Sequence, residues 1–568
     1  MIAELKFLKR LSTSVLTREE NIFNEPIDVA RLDQIDEERS ISTQFDPTLV
    51  PSDLDVIIVG GGIGGLVCAS FLSRVGKKVL VLERNEIAGG CTKVFEFKDH
   101  PGYELPIGCH YIAGAVDNTI YKAIFNEASL NSLEFVDLPT YFDKVIFADE
   151  GKEFAVSTRG HFQADLAEQF PEEGEAIKKF IGLCFDFLSE RDQLAVLRIM
   201  PDSLKKVGQL FIARNYIKYK DVSFQQYLDD NFRDPFLKGI LSYMCVALGV
   251  KPDEVPLPIV AVCFAVFLDG TSYPKHGAGA FARKISRANE YYGGRTLCSA
   301  EVSKILVTDD NKAYGVELLD GTRLEAKTII SACGYIKTFK QLLPTRFEYM
   351  VRDFEPGCQH FLVFLGFKAA QDVLQFPGHN IYLAKNVGHF GYKDFRNQET
   401  LDDKVELPPM FINFPTVYHG QDGKSIAVIA IEARYDWFKK WKGAKDDEYR
   451  ATCDALMQRC LRRFFTLFPD TEKHLDFAKW GTPLDMERWI GSPLGSSFTT
   501  KLNFDRLLHQ TQLTPVENLY MTGADAFLAN GITVGAISGL ITAQIVSGKS
   551  LISMIMEKER QSVQSRGC

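Results

Sequence analysis

The stretch VIIVGGGIGGLVCASFL, Val56 to Leu72, runs four β-branched residues into a glycine cluster and then into small and apolar residues. The first four read as a strand buried on both faces, and the residues after Gly62 as a packed helix. Gly60, Gly62 and Gly65 hold the G-x-G-x-x-G positions. The first permits a tight turn, the second lets backbone approach a pyrophosphate, and the third packs helix against strand. The phosphate then lies on the helix N-terminus, where unpaired N–H groups and the helix dipole favour an anion. KKVLVLERN, Lys77 to Asn85, supplies a second strand ending in Glu83, eighteen residues past Gly65. An acid there accepts from ribose hydroxyls, so the ligand class is a dinucleotide with an unmodified ribose.

Two features favour FAD over NAD. Gly89 and Gly90 follow Glu83 at a spacing that suits a second backbone turn near the nucleotide, and a lone acid, Asp525, follows the strand LYMTG. A helix beginning near Thr533 points its positive end at the same place, and a reduced flavin is anionic around N1 and the C2 oxygen. The expected fold class is α/β: a Rossmann-type FAD-binding domain interleaved with an α+β substrate domain.

Working outward, 1–52 reads as an N-terminal leader or arm, 53–150 as the first part of the FAD-binding domain, and 151–270 as a helical insert for substrate or membrane contact. The segment 271–345 reads as the second FAD-binding part, 346–505 as the substrate domain, 506–550 as the third FAD-binding part, and 551–568 as a tail. In the second part, EVSKILVTDDNKAYGVELLDGTRLEAKTIISA, Glu301 to Ala332, predicts three short strands with turns at Asp309 to Asn311 and Asp320-Gly321. PLPIVAVCFAVFL, Pro256 to Leu268, is too short to span a bilayer and reads as core.

Composition narrows the function classes. Among 568 residues, 65 basic and 74 acidic side chains give a net charge of −9, which argues against a nucleic-acid partner. The twelve cysteines are scattered, without a Cys-x-x-Cys pair or a His/Cys cluster at ligand spacing, so neither a disulfide framework nor a metal site is expected. An intracellular, reducing compartment fits. Met1 to Arg18 mixes Lys6, Lys9, Arg10 and Arg18 with leucines but lacks an uninterrupted secretory-type apolar stretch. It reads as a weak transit sequence, a surface-lying amphipathic helix or a frayed basic terminus.

The segments DVIIVGGGIGGLVCASFL, VLVLERNEIAGGC, SYPKHGAGA, KTIISACGY and LYMTGAD together resemble the phytoene desaturase and carotenoid isomerase family of FAD enzymes. GCHYIAG at Gly108 to Gly114, KQLLP at Lys340 to Pro344, INFPT at Ile412 to Thr416 and YDWFKKW at Tyr435 to Trp441 are similar to its retinol saturase branch. The resemblance covers about Asp53 to Ser550. It implies a two-domain, amine-oxidase-like flavoprotein acting on carbon-carbon double bonds of long lipophilic polyenes. It also implies FAD contacts from Gly60, Gly62, Gly65, Glu83, Gly90 and Asp525, and a backbone contact from Val302 to adenine. Saturases of this branch begin with a secretory signal, from which Met1 to Arg18 departs.

Hydride passes between flavin N5 and a polyene carbon without a metal, and the protein must supply orientation, dryness and a proton. His110 and Tyr111 are the candidate catalytic residues, with imidazole expected to titrate near working pH. Cys91 and Cys109 read as packing residues, and Lys275 as either a cofactor contact or a solvated lysine. The substrate pocket should be long and apolar. Met200 to Lys220 joins five basic residues to Leu210, Phe211, Ile212, Tyr216 and Ile217, as a helix lying on an anionic membrane surface requires. Three readings follow: a saturase-type reductase fed by an external electron donor, a redox-neutral double-bond isomerase, and a flavin-bearing lipid escort without chemistry.

Overall fold

Strand β1, Val56–Val59, is buried along its whole length, and its two faces meet different layers. The computed structural model describes residues 20–199, 213–388, 390, 406–420, 423–498, 500–503, 506, 510–527 and 530–566. With β2 (Val79–Leu82), β3 (Arg295–Leu297), β4 (Thr328–Ser331) and β5 (Leu519–Met521), β1 forms a parallel sheet in the order β3-β2-β1-β4-β5. Val56, Ile58, Val79 and Val81 pack into the cluster that holds helices α1 (Ile63–Arg74), α2 (Ala280–Tyr291) and α3 (Ile532–Ser547). Ile57, Val59, Leu80 and Leu82 point the other way, onto an antiparallel sheet of Val302–Val307, Ala313–Leu318 and Arg323–Glu325. A strand covered on both sides has no polar face, which is why its sequence shows a run rather than an alternation.

The segment Glu301 to Ala332 therefore makes four strands, where three were expected. Its last, β4, leaves the antiparallel sheet and pairs with β1 and β5. The turns fall where the sequence places them, with Asn311 at φ 63° and Gly321 at φ 88°.

A mixed seven-stranded sheet forms the second body. Its order is Leu475–Gly481, His360–Phe367, Ser425–Glu432, Met410–Asn413, Asn380–Ala384, Tyr141–Phe147 and Lys152–Ser157. Tyr141–Phe147 lies within 53–150, so that stretch serves both sheets rather than the nucleotide sheet alone. Phe361, Val363 and Leu365 pack toward the helix Asp447–Leu467, while Leu362 and Phe364 face the main core. Between Ser157 and Gly270 the elements among the described residues are helices, and Pro256 to Leu268 becomes the buried helix Leu257–Leu268.

Both ends of the described chain are tied down. In the arm, Phe23 packs edge-on against Phe71 of α1, and Thr43 and Phe45 exchange backbone bonds with Cys298. The expected tail is the helix Leu551–Arg566, with Leu551 and Ile555 buried and Met554 O accepting from Asn21 Nδ2 at 2.8 Å. The readings made for Met1 to Arg18, and for 200–212 of the proposed membrane segment, lie outside the described residues.

Candidate active site

A cavity of about 400 Å³ runs from the glycine turn across to the seven-stranded sheet. At its first end, Gly60 makes the turn after β1 at φ 107°, a conformation open to glycine at little cost. A Cβ on Gly65 would stand 2.3 Å from Gly60 O, so α1 can approach β1 only with glycine there. Gly62 lines the cavity, and the nearest atom to an added Cβ is Gly90 Cα at 4.0 Å. Gly89 does not line it. Its N–H donates to Gly61 O at 2.7 Å, stapling the second turn to the first and presenting Gly90 to the cavity.

Glu83 is buried at the end of β2 and lines the cavity. Its Oε2 accepts from Gly61 N–H at 2.9 Å, and its Oε1 from Asn85 N–H at 3.0 Å and Asn85 Nδ2 at 2.5 Å, leaving further acceptor capacity on Oε2. Val302 lines the same end. Arg84, Glu301 and Lys337 stand beside it, with Arg84 Nη1 and Lys337 Nζ at 4.0 Å and 3.9 Å from Glu301 Oε1. Sequence reading missed these three. Only Arg84, adjacent to Glu83, carried any signal.

Asp525 differs from expectation. It is buried, but its carboxylate accepts from Tyr335 N–H at 3.0 Å and Thr500 Oγ1 at 2.7 Å, and pairs with Arg506 at 3.2 Å. The cavity wall at this point is Gly523 and Ala524. Asp525 thus holds the loop from behind Gly523 and Ala524. Lys275 is at the surface, bonded to Glu134 at 2.7 Å. Burial pushes the Cys91 and Cys109 thiols up, so both remain protonated; Cys109 is buried in the core, and Cys91 stands on the cavity wall.

The walls fit a flavin dinucleotide. Helices α1 and α3 both start at glycines with no side-chain cap and no acid in the first turn, and both starts line the cavity. Three buried donors on the wall, Arg84 Nε, Ser492 Oγ and Asn530 Nδ2, have no partner among the described residues. A ligand rich in phosphate and ribose oxygens satisfies such groups.

Beyond α3 the cavity turns apolar, with Leu248, Phe267, Leu362, Phe411, Ala430 and Met486 on its walls. His110, Tyr111 and Tyr382 also line it. The His110 ring packs edge-on to Phe411 at 5.0 Å. Burial holds its pKa down at about 4, with Asn413 partly offsetting, so the imidazole is neutral at neutral pH. Its expected role as a proton donor titrating near working pH is corrected accordingly.

Tyr111 sits in a buried polar cluster that no spacing in the chain marks. Tyr111 Oη donates to Asp143 Oδ2 at 2.9 Å and lies 2.8 Å from Tyr382 Oη. Asn380 Nδ2 donates to Asp143 Oδ1 at 3.0 Å, and Asn413 Nδ2 bridges Asn380 Oδ1 at 2.7 Å and His110 O at 3.1 Å. Asp143 is fully buried, and desolvation pushes its carboxyl up to about 7 against the lowering effect of Asn380, Tyr111 and Tyr243. The Tyr111 phenol is held well above its ordinary value, first by burial and then by Asp143.

A three-layer nucleotide domain with an uncapped glycine turn, joined by one cavity to a second sheet, defines an FAD-binding flavoprotein. The chain matches the family described as flavin containing amine oxidoreductase over residues 63–547 and belongs to it. It is similar to an all-trans-retinol 13,14-reductase of Danio rerio, 26% identical over 91% of this chain and 90% of that one. A chloroplastic prolycopene isomerase of Arabidopsis thaliana is also 26% identical, over 87% and 82%. Among solved structures, cyclohexylamine oxidase from Brevibacterium oxydans shares the fold at a TM-score of 0.56 and 17% identity, covering 87% of this chain and 99% of that one.

Proposed function

We propose that the protein reduces a carbon-carbon double bond of a lipophilic polyene, a retinoid, carotenoid or polyunsaturated lipid. The observation that carries this reading is the apolar chamber continuous with the nucleotide cradle, walled by Leu248, Phe267, Leu362, Phe411, Ala430 and Met486, with His110, Tyr111 and Tyr382 among its polar groups. The names of relatives at 26% identity support it, since retinol and prolycopene are both polyenes. When bound, FAD supplies hydride exchange at N5.

The chain's own residues do the rest. Gly62, Gly90 and the N-terminus of α1 seat the pyrophosphate, Glu83 accepts from ribose, and Val302 borders the adenine by its backbone. The start of α3, Gly531 to Thr533, offers N–H groups to the electron-rich edge of the ring. Phe267, Leu362 and Phe411 exclude water beside the polyene, and the neutral His110 adds no charge there. Net reduction needs an external electron donor. A redox-neutral isomerase is the second reading, supported by the likeness to the prolycopene isomerase at the same 26% identity over a smaller share of both chains.

The test is anaerobic incubation of the reduced enzyme with retinol, carotenoids and polyunsaturated fatty acids, scored by product mass. A gain of two hydrogens per turnover is expected; unchanged mass with shifted absorption would transfer the assignment to isomerase. No change with any polyene would leave the lipid-escort reading.

Such a substrate is drawn from a bilayer, and we extend the proposal to peripheral association with a membrane surface. In the described part of the segment ending at Lys220, Arg214 and Lys218 are exposed, but Tyr216 is buried against Phe187 and so serves the core. No single helix among the described residues is long and apolar enough to cross a membrane. Flotation with anionic liposomes that weakens with salt is expected; no flotation at low salt would refute it.

A further inference from the structure

We propose that Asp143, acting through Tyr111 and Tyr382, stores and delivers the proton that completes reduction of the double bond. The inference rests on the reductase reading above and adds the proton's source and path.

The geometry is a line of three oxygens ending at the cavity. Asp143 Oδ2, Tyr111 Oη and Tyr382 Oη stand 2.9 Å and 2.8 Å apart in sequence along it, and both tyrosines line the apolar chamber while Asp143 lies behind them. A protonated Asp143 donates to Tyr111, which donates to Tyr382, a residue of the chamber wall. After the proton has moved, every bond in the line reverses, and Tyr111 donates to the carboxylate. A hydroxyl that both donates and accepts permits this reversal without any heavy atom changing place.

The groups around Asp143 favour the stored proton. They are Tyr111 from the loop before Ile112–Ala113, Tyr243 from the helix Pro235–Leu248, Asn380 and Tyr382 from the neighbouring strand, and Tyr418 from the helix Thr416–His419. None is a cation, and among the described residues Asp143 has no ion-pair partner. A desolvated carboxyl facing phenols and an amide keeps its proton near neutral pH, at about 7 here. His110, on the same wall, does not compete because burial keeps it neutral.

Atoms and electrons balance. One carbon of the double bond receives a hydride, one hydrogen with two electrons, which is the reduced flavin's contribution. The neighbouring carbon takes a proton from Tyr382, breaking its O–H bond. Tyr382 is made good by Tyr111, and Tyr111 by Asp143, which is left as a carboxylate and regains a proton from water. The substrate is reduced by two electrons and the flavin oxidised by two, having been charged by an external two-electron donor. Tyr382 is the catalytic residue of the three, and Asp143 is a positioning residue that acts only through it.

The test uses the flavin-loaded protein with the Asp143→Asn, Tyr382→Phe and Tyr111→Phe variants. Infrared titration should show, in wild type, a protonated carboxyl stretch that disappears as pH rises through about 7 and is missing in Asp143→Asn. Single-turnover oxidation of dithionite-reduced enzyme by the polyene that wild type reduces should slow as pH rises through the same point. Each variant should lower that rate by roughly two to four orders of magnitude, the range for losing a general acid, and Asp143→Asn should flatten the profile with flavin content unchanged. A wild type without the carboxyl band, or an Asp143→Asn variant with the wild-type rate and profile, would overturn the relay. Failure of wild type to reduce any polyene is a different result. It would remove the reductase reading itself, and the relay with it, whatever the infrared spectrum shows.

Discussion

At the scale of single residues, the glycine turn and the histidine teach opposite lessons. Gly62 has φ −77° and ψ 172°, an extended conformation open to any residue, and the space beside it is free to 4.0 Å. Gly62→Val should therefore fold normally while its branched side chain fills the space a pyrophosphate requires. We expect a colourless protein with wild-type circular dichroism, and stoichiometric FAD in a folded variant would sink the assignment. This residue was legible because the chemistry of phosphate approach is local to five or six positions in the chain. His110 was legible only as a candidate. What sets its protonation is Phe411 and Asn413, some 300 positions away, and sequence spacing carries no trace of them. With a neutral imidazole, His110→Gln should retain flavin and the wild-type pH profile and slow single turnover less than about tenfold. That is well short of the usual loss on removing a general acid. A loss comparable to that of Asp143→Asn would return the proton to His110.

Elements were read well where one period dominated. The runs VIIV and VLVL sit where the sequence places them, because a strand buried on both faces leaves a plain pattern. The strand β4 was misassigned to a meander, since a short apolar run does not reveal which of two adjacent sheets it will join. The same blindness affected Asp525. An acid after a C-terminal strand looks like a ligand, yet here it bonds Tyr335 N–H and Thr500 and pairs with Arg506, both side chains of the pair being 2% exposed. Asp525→Ala would leave the buried guanidinium without its counter-charge, a change that typically costs about 3–5 kcal/mol. The expected outcome is a lower unfolding midpoint in the flavin-free protein as well as in the loaded one. If only the loaded form were destabilised, Asp525 would be a cofactor contact after all.

At the scale of the whole molecule, the site exists only because the two sheets share one cavity. Its parts come from β1, the loop at His110, the strands carrying Asp143, Tyr382 and Asn413, and the start of α3. The nucleotide half is encoded in contiguous motifs, whereas the proton-bearing half is assembled from residues with no common spacing, which is why the latter escaped the sequence. That assembly also leaves a signature in global stability. Asp143 is raised from its ordinary 3.8 to about 7. Its folded form holds a proton that the unfolded chain has lost, so its contribution is fully present below about pH 4 and disappears as pH rises through 7. His110 is lowered from 6.5 to about 4, so its contribution is present above pH 6.5 and is lost as pH falls through 4. Between those limits the two slopes have opposite signs, each roughly 1.4 kcal/mol per pH unit, and largely cancel. Single substitutions should expose them. Relative to wild type, Asp143→Asn should gain stability as pH rises from about 4 to 6.5, and His110→Gln should lose it over the same interval. Urea midpoints of the two variants and wild type across that range make the measurement, and differences from wild type remove the contributions of all other groups. Two variants that ran parallel to wild type would mean that neither group is held away from its ordinary protonation by the fold.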